Sequence, residues 1–269
     1  MKFRRSGLVL AGLAALALKL SPVTLPRPGL PTLFIIGDST ANLPDHQGWG
    51  DPFADYFDPA KITVLNRASG GRSARTFFEE GQWNRVVADL KPGDYVLIQF
   101  GHNDGGAPDM PPARADLPGI SDETKTFLLP NGRKQVVHTY GWYIRRFVTD
   151  TKAKGANPIV LSLTVRNAWF NGKVERGLAN GQFGKWSQEV AASEGVPFVD
   201  VTNIIADAFE KMGRKQVRQL FLPDYTHTTR AGADLNASLI VAGLKGIHSP
   251  LTQFLSAKGT AVAPAVHVP

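Results

Sequence analysis

An α/β fold is the expectation, with a parallel sheet covered by helices on both faces, and two observations support it. Apolar runs of strand length alternate with longer segments of helical period in a βαβαβ order. The runs are also continuously apolar rather than alternating, as strands buried on both faces must be. Right-handed crossovers follow from that arrangement. In chain order the strands are TLFIIG from Thr32, KITVLNRA from Lys61, DYVLIQFG from Asp94, PIVLSLTV from Pro158 and PFVDVT from Pro197. Between and after them, helical period marks Asp51 to Phe57, Arg75 to Leu90, Thr139 to Lys154, Gly184 to Glu194, Asn203 to Met212 and Thr229 to Leu244.

The segment Gly105 to Lys134 breaks the pattern, being rich in proline, glycine and charge. It reads as a long excursion from the carboxyl edge of the third strand, where loops shape substrate sites. At the C-terminus, AKGTAVAPAVHVP has neither period nor caps and reads as a flexible tail over residues 257–269. At the other end, Lys2, Arg4 and Arg5 precede the apolar stretch GLVLAGLAALAL, which stops at Lys19. Residues 1–20 therefore read as a signal peptide, with Ala15-Leu16-Ala17 a candidate cleavage site and a secreted or periplasmic location implied. The stretch is shorter than the ~20 apolar residues of a spanning helix, which argues against a stable membrane anchor. Arg4-Arg5 hints at twin-arginine export, although the flanking residues fit that signal poorly. A Pro-rich linker over 21–31 leads into a single domain, 32–256.

The 269 residues suffice for a substantial core, and the absence of cysteine excludes disulfides, thiolate metal sites and a cysteine nucleophile. Of the net charge of +7, Lys2, Arg4, Arg5 and Lys19 supply four, leaving +3 beyond the leader. With no basic run or aromatic-interleaved stripe in that body, nucleic acid is not an expected partner. A mild positive field suits an acidic polysaccharide instead. No His/Asp/Glu spacing suggests a metal site and no Gly-rich phosphate loop is present, so no cofactor is expected.

Four short polar motifs sit where chemistry would converge: Gly37-Asp38-Ser39, Gly70-Gly71-Arg72-Ser73 and Gly101-His102-Asn103-Asp104 after successive strands, and Asp224-Tyr225-Thr226-His227 near the end. In an open α/β sheet, residues just beyond the strands' carboxyl ends meet in one crevice. Ser39 stands exposed there as a nucleophile, though Asp38-Ser39-Thr40 equally describes a cap or turn. His227 has Asp224 three residues before it, close enough for the carboxylate to fold back on one imidazole nitrogen and leave the other for Ser39. Asp224 or Thr228 also fits a helix cap, with His227 incidental. The backbone N–H groups of Ser39 and Gly71 and the amide of Asn103 suit an oxyanion, while Gly70-Gly71 also fits a turn with positive φ.

In this order, Gly-Asp-Ser, the second-block glycine, Gly-x-Asn-Asp and Asp-x-x-His resemble the SGNH (GDSL-type) hydrolase superfamily, and within it the rhamnogalacturonan acetylesterases. The resemblance is carried by FIIGDSTAN, NRASGGRSARTF, QFGHNDGG, TYGWYIRRFVTDTKAKGANPIVLSLTVRN and DYTHTTRAGA. It implies a three-layer α/β/α flavodoxin-like fold with strand order 2-1-3-4-5. It also implies Ser39 as nucleophile, Asp224 and His227 as acid and base, and Ser39, Gly71 and Asn103 as the oxyanion hole. The implied reaction is removal of O-acetyl groups from plant cell-wall polysaccharide, rhamnogalacturonan foremost, through an acetyl-serine intermediate. Acetylxylan or another carbohydrate ester, a long acyl chain and a non-catalytic carbohydrate-binding role remain alternatives. For the sugar itself, His102 and His138 are candidate contacts, Arg72, Arg75, Arg133 and Arg166 are candidate partners of uronate carboxylates, and Trp169 with Phe170 is a candidate stacking platform.

Overall fold

All five apolar runs enter one parallel sheet. The computed structural model describes residues 26–177 and 182–267, so the leader and the start of the linker lie outside the described residues. In chain order the strands are β1 (Thr32–Gly37), β2 (Thr63–Asn66), β3 (Tyr95–Gln99), β4 (Thr124–Leu128), β5 (Lys134–His138), β6 (Asn157–Leu161), β7 (Trp169–Phe170), β8 (Lys173–Val174) and β9 (Phe198–Val199). The sheet runs β2-β1-β3-β6-β9 and every pairing in it is parallel, which is the order 2-1-3-4-5 among its own strands.

The helices are α1 (Ala74–Glu79), α2 (Gln82–Asp89), α3 (Tyr140–Ala153), α4 (Phe183–Glu194), α5 (Val201–Met212), α6 (Arg214–Val217), α7 (Arg230–Gly246) and α8 (Ala257–Ala261). Alternation along β1 shows how they form two outer layers. Leu33 and Ile35 face one core, with Ile205 and Phe209 of α5 and Ile240 and Leu244 of α7. Phe34 and Ile36 face the other, with Trp83 of α2, Phe147 of α3 and Val190 of α4. Both strand faces are buried, which is why these runs carry no polar alternation. Among the described residues no helix is long and apolar enough to cross a membrane.

Several details differ from expectation or add to it, the first being that Asp51 to Phe57 forms a 3-10 helix over Pro52–Tyr56. The helix expected over Arg75–Leu90 is two helices, because Gly81 adopts φ +73° between α1 and α2. PFVDVT contributes only two sheet residues, since Asp200 accepts a hydrogen bond from the Asn203 N–H (3.2 Å) and starts α5. The long excursion after β3 carries a hairpin of its own: β4 pairs antiparallel with β5, with Thr124 opposite His138 and Leu128 opposite Lys134. The tail expected to be flexible packs against the domain as far as it is described. Lys258 of α8 bonds Asp234 (2.7 Å), the Ala265 N–H bonds the Ala242 carbonyl (2.9 Å), and His267 meets Asp207 (2.9 Å).

Candidate active site

β1, β3 and β6 end in a buried polar layer that holds the chain around Ser39. The Asp38 carboxylate accepts from the Thr40 N–H and hydroxyl, each at 2.8 Å. Its other oxygen lies 3.3 Å from His102 Nδ1, a close approach rather than an aligned hydrogen bond. His102 Nε2 donates to the Thr164 carbonyl just beyond β6 (3.0 Å). Burial by itself would push the Asp38 carboxyl up, but His102 and the Thr40 donors together bring it below the ordinary carboxylate range. His102 is thus a buried brace between the ends of three strands, not a sugar contact.

Ser39 projects from the turn that follows, in which the Ala41 and Asn42 N–H groups bond the Asp38 carbonyl. Its hydroxyl lies 2.8 Å from His227 Nε2, across 188 positions of sequence. His227 Nδ1 lies 2.5 Å from Asp224 Oδ2. The segment from Phe221 to Thr228 closes on itself through the Leu222 N–H to His227 carbonyl bond (2.8 Å), and Asp224 Oδ1 caps the turn by accepting from the Thr226 and His227 N–H groups (3.0 and 2.9 Å). Partial burial pushes the Asp224 carboxyl up, but the His227 ring and those N–H groups outweigh it and lower it overall. An ionised Asp224 accepts from Nδ1–H and leaves Nε2 able to take the Ser39 proton. The helix cap is a different residue: Thr229 accepts from the Gly232 N–H at the start of α7.

Around Ser39 the second and third motifs converge. A side chain on Gly70 would come within 3.8 Å of Ser39 Cβ, so the glycine turn lies directly against the serine, and Gly71 has φ +76°. Asn103 spends one amide hydrogen on the Arg72 carbonyl (2.9 Å) and keeps the other. Among the described residues the N–H groups of Ser39 and Gly71 have no acceptor. Among the described residues three donors are thereby uncommitted on Ser39 itself, on the glycine turn packed against it and on the asparagine bonded to that turn's next carbonyl, the kind of groups that stabilise a developing oxyanion.

Behind this wall, Asp104 and Asp116 are fully buried together. Asp104 Oδ1 accepts from the Ala74 N–H (2.7 Å) and Asp116 Oδ1 from the Arg75 N–H (3.3 Å). The remaining oxygens lack any other partner, and the two carboxyls contact each other, so a single shared proton satisfies both. Burial raises both, Asp104 to about 6 and Asp116 further, which puts the proton on Asp116.

Of the candidate sugar contacts, most have internal partners. Arg72 bonds Glu80 (2.9 Å) and the Gly70 carbonyl (3.0 Å). Arg75 is fully buried and holds the long loop through the Ala113 (2.5 Å) and Pro108 (3.3 Å) carbonyls. His138 stacks on Trp142 at 3.7 Å in the β5–α3 corner, and burial lowers its pKa. Trp169 packs on the core with its indole N–H on Asn167 (2.8 Å), and of that pair only Phe170 is exposed. Arg133 lies exposed beside the β4–β5 turn. Arg166 alone of the set faces a cavity without a partner. Two residues escaped the sequence reading. Arg114, from the long loop, donates to the Gly71 carbonyl (3.1 Å), and Tyr225, inside the fourth motif, stands half-exposed at φ +54°.

The chain is similar to known proteins along most of its length. The GDSL-like Lipase/Acylhydrolase family matches over residues 35–235. The chain is similar to a rhamnogalacturonan acetylesterase of Emericella nidulans, with 35% identity over 225 residues, 84% of this chain and 87% of the relative. Rhamnogalacturonan acetylesterase RhgT of Bacillus subtilis is 29% identical over 243 residues, 83% of this chain and 93% of the relative. Axe2, an acetylxylan esterase from Geobacillus stearothermophilus, superposes with a TM-score of 0.53 at 18% identity, covering 81% of this chain and 94% of that one, and so shares the fold. A family match that takes in β1 through most of the sheet, together with a relative 35% identical along most of both chains, makes this chain a member of the GDSL-like Lipase/Acylhydrolase family.

Proposed function

We propose that the protein is a serine esterase that removes O-acetyl groups from rhamnogalacturonan, acting outside the cytoplasm. The reading rests above all on the hydrogen-bonded chain from Asp224 through His227 to Ser39, set beside three uncommitted donors. Ser39 Oγ attacks the acetyl carbonyl carbon while its proton passes to His227 Nε2. The carbonyl oxygen becomes an oxyanion held by the N–H groups of Ser39 and Gly71 and the Asn103 amide. Collapse breaks the bond to the sugar oxygen, which leaves with the His227 proton. A water, deprotonated by His227, then releases acetate and regenerates Ser39.

The substrate follows from the two relatives named as rhamnogalacturonan acetylesterases and from polar rather than aliphatic residues at the sheet's carboxyl edge. Extracellular action follows from the signal-like residues 1–20. The experiment compares acetate release from acetylated rhamnogalacturonan, acetylxylan and a long-chain acyl ester, with a Ser39→Ala control. The reading expects the pectic substrate to be preferred and all release to depend on Ser39. Equal or better turnover of acetylxylan or the long-chain ester would overturn the substrate, and Ser39-independent release would overturn the mechanism.

A further inference from the structure

Two cavities flank Tyr225, and their walls hold three arginines, Arg166, Arg214 and Arg218, with no side-chain partner among the described residues. The first, about 550 Å³, opens beyond the carboxyl ends of β6 and β9 and is lined by residues 162–166, Arg176, Lys185 and Tyr225 among others. The second, about 410 Å³, lies against the same tyrosine and is lined by Arg214, Arg218, Asn167 and residues 221–223. We propose that together they form a cleft for a uronic-acid-bearing polysaccharide. In this cleft Arg166 binds one carboxylate, Arg214 and Arg218 bind another, and Tyr225 between them carries a sugar ring. The proposal rests on the carbohydrate esterase reading above and names what that site selects.

Arg166 is the central observation. Its Nε is buried without a hydrogen-bond partner, and its side chain has no hydrogen bond or ion pair among the described residues. Leaving a partly buried guanidinium unsatisfied is unfavourable unless a ligand completes it. The charged neighbours in the same cavity show the contrast. Arg176 is saturated by Asp207 (2.8 Å), Glu210 (3.0 Å) and Asn203 Oδ1 (3.0 Å). Asp200 is spent on Asn203 and Ser162, and Lys185 lies 3.6 Å from Glu189. Glu175, the remaining acid of the wall, is exposed at the rim. Among the described residues the second cavity's lining holds two exposed arginines and no acid.

Position ties these groups to the reacting serine. Arg166 lies between two anchors: the Thr164 carbonyl, which accepts from His102 (3.0 Å), and the Asn167 N–H, which donates to the Tyr225 carbonyl (2.8 Å). Both anchors belong to the framework that holds Ser39 and His227. Tyr225 is two residues from His227, is 53% exposed and holds φ +54°, a conformation a bulky residue adopts only where its surroundings impose it. A carboxylate matches the guanidinium fork in a way a neutral hydroxyl does not, and an aromatic face offers area to the apolar side of a sugar ring.

Calorimetric titration of the Ser39→Ala protein with unacetylated trigalacturonate tests the cleft without turnover, with neutral xylotriose as the comparison. Trigalacturonate should bind more tightly than xylotriose. Adding Arg166→Gln, or Arg214→Gln with Arg218→Gln, should weaken it about 10- to 100-fold, with Arg166→Lys falling between. The thermal midpoint of each variant reports whether the fold is kept. Trigalacturonate binding no tighter than xylotriose, or an affinity indifferent to Arg166→Gln in a folded variant, would overturn the cleft while leaving the esterase reading intact. Arg166-dependent binding without Ser39-dependent acetate release from rhamnogalacturonan would uphold the cleft and sink the substrate named above.

Discussion

At the scale of single residues, Asp224 and Asn103 make separable demands on catalysis. Asp224→Asn replaces an acceptor for His227 Nδ1–H with an amide, which favours the wrong tautomer. It should lower kcat about 10³–10⁴-fold at neutral pH with little change in KM, and steady-state kinetics on any turned-over acetyl ester would show it. A loss below tenfold would mean that this half-exposed carboxylate is not the orienting group. Asn103→Ala removes one oxyanion donor and should lower kcat about 10²–10³-fold. Because the same amide holds the Arg72 carbonyl, its thermal midpoint has to be read alongside; a rate loss that tracks unfolding would argue for a structural role only. Ser39, Asn103, Asp224 and His227 were legible because each belongs to a short motif at the end of an element. Arg72, Arg75, His138 and Trp169 stayed open between sugar contact and internal use because an arginine or aromatic near an edge loop looks the same in sequence whether its partner is a sugar, Glu80, a buried carbonyl or the core.

At the scale of elements, local signals and their tertiary override are both visible. Asn131-Gly132 between TKTFL and KQVVH is a hairpin signal, with Gly132 at φ +79° in the turn joining β4 to β5. Proline, glycine and charge across the surrounding segment obscured it. The tail gave no local signal at all. Helix α8 is only five residues long and would not persist alone. It is held by Ser256 capping it through the Gly259 N–H (3.3 Å), by Lys258 bonded to Asp234 and lying 4.2 Å over the Tyr56 ring, and by Gly259 packed so closely on the Tyr56 carbonyl that a side chain would not fit. Truncation after Leu255 should therefore destabilise the domain by about 2 kcal/mol, a fall of about 4–8 °C in Tm. Differential scanning calorimetry decides it, and an unchanged Tm would show these contacts to be energetically idle.

At the scale of the whole molecule, the shared-proton pair links stability to pH. Asp104 joins the third motif to α1, and Asp116 returns the long loop to the same point, so the pair connects the wall of the oxyanion site to the loop beside it. Burial raises Asp104 to about 6, against about 4 in an unfolded chain. The folded protein therefore holds a proton that the unfolded chain releases. This contribution is fully present below pH about 4 and is lost as pH rises through about 6. Asp38 and Asp224, whose carboxyls are lowered, lose their contributions only at more acid pH. Tm should accordingly decline between pH 4.5 and 7, and Asp104→Asn, which removes the titrating carboxyl and keeps an acceptor for the Ala74 N–H, should flatten the decline. A flat or rising wild-type profile would refute the raised Asp104 carboxyl.

The sequence by itself determined the parallel sheet, its buried faces and the four motifs at its carboxyl edge. Strand burial and turn chemistry are written in the residues of each element, and connection rules then bring the strand ends together. Tertiary structure alone decided which polar groups were already satisfied. His102 became a brace, Asp104 and Asp116 became a pair, the tail was pinned, and Arg166 was left without a partner. The physical reason is that hydrogen-bond and ion-pair satisfaction is a property of neighbours in space. Ser39 and His227, 188 positions apart, show how far along the chain such a neighbour can lie.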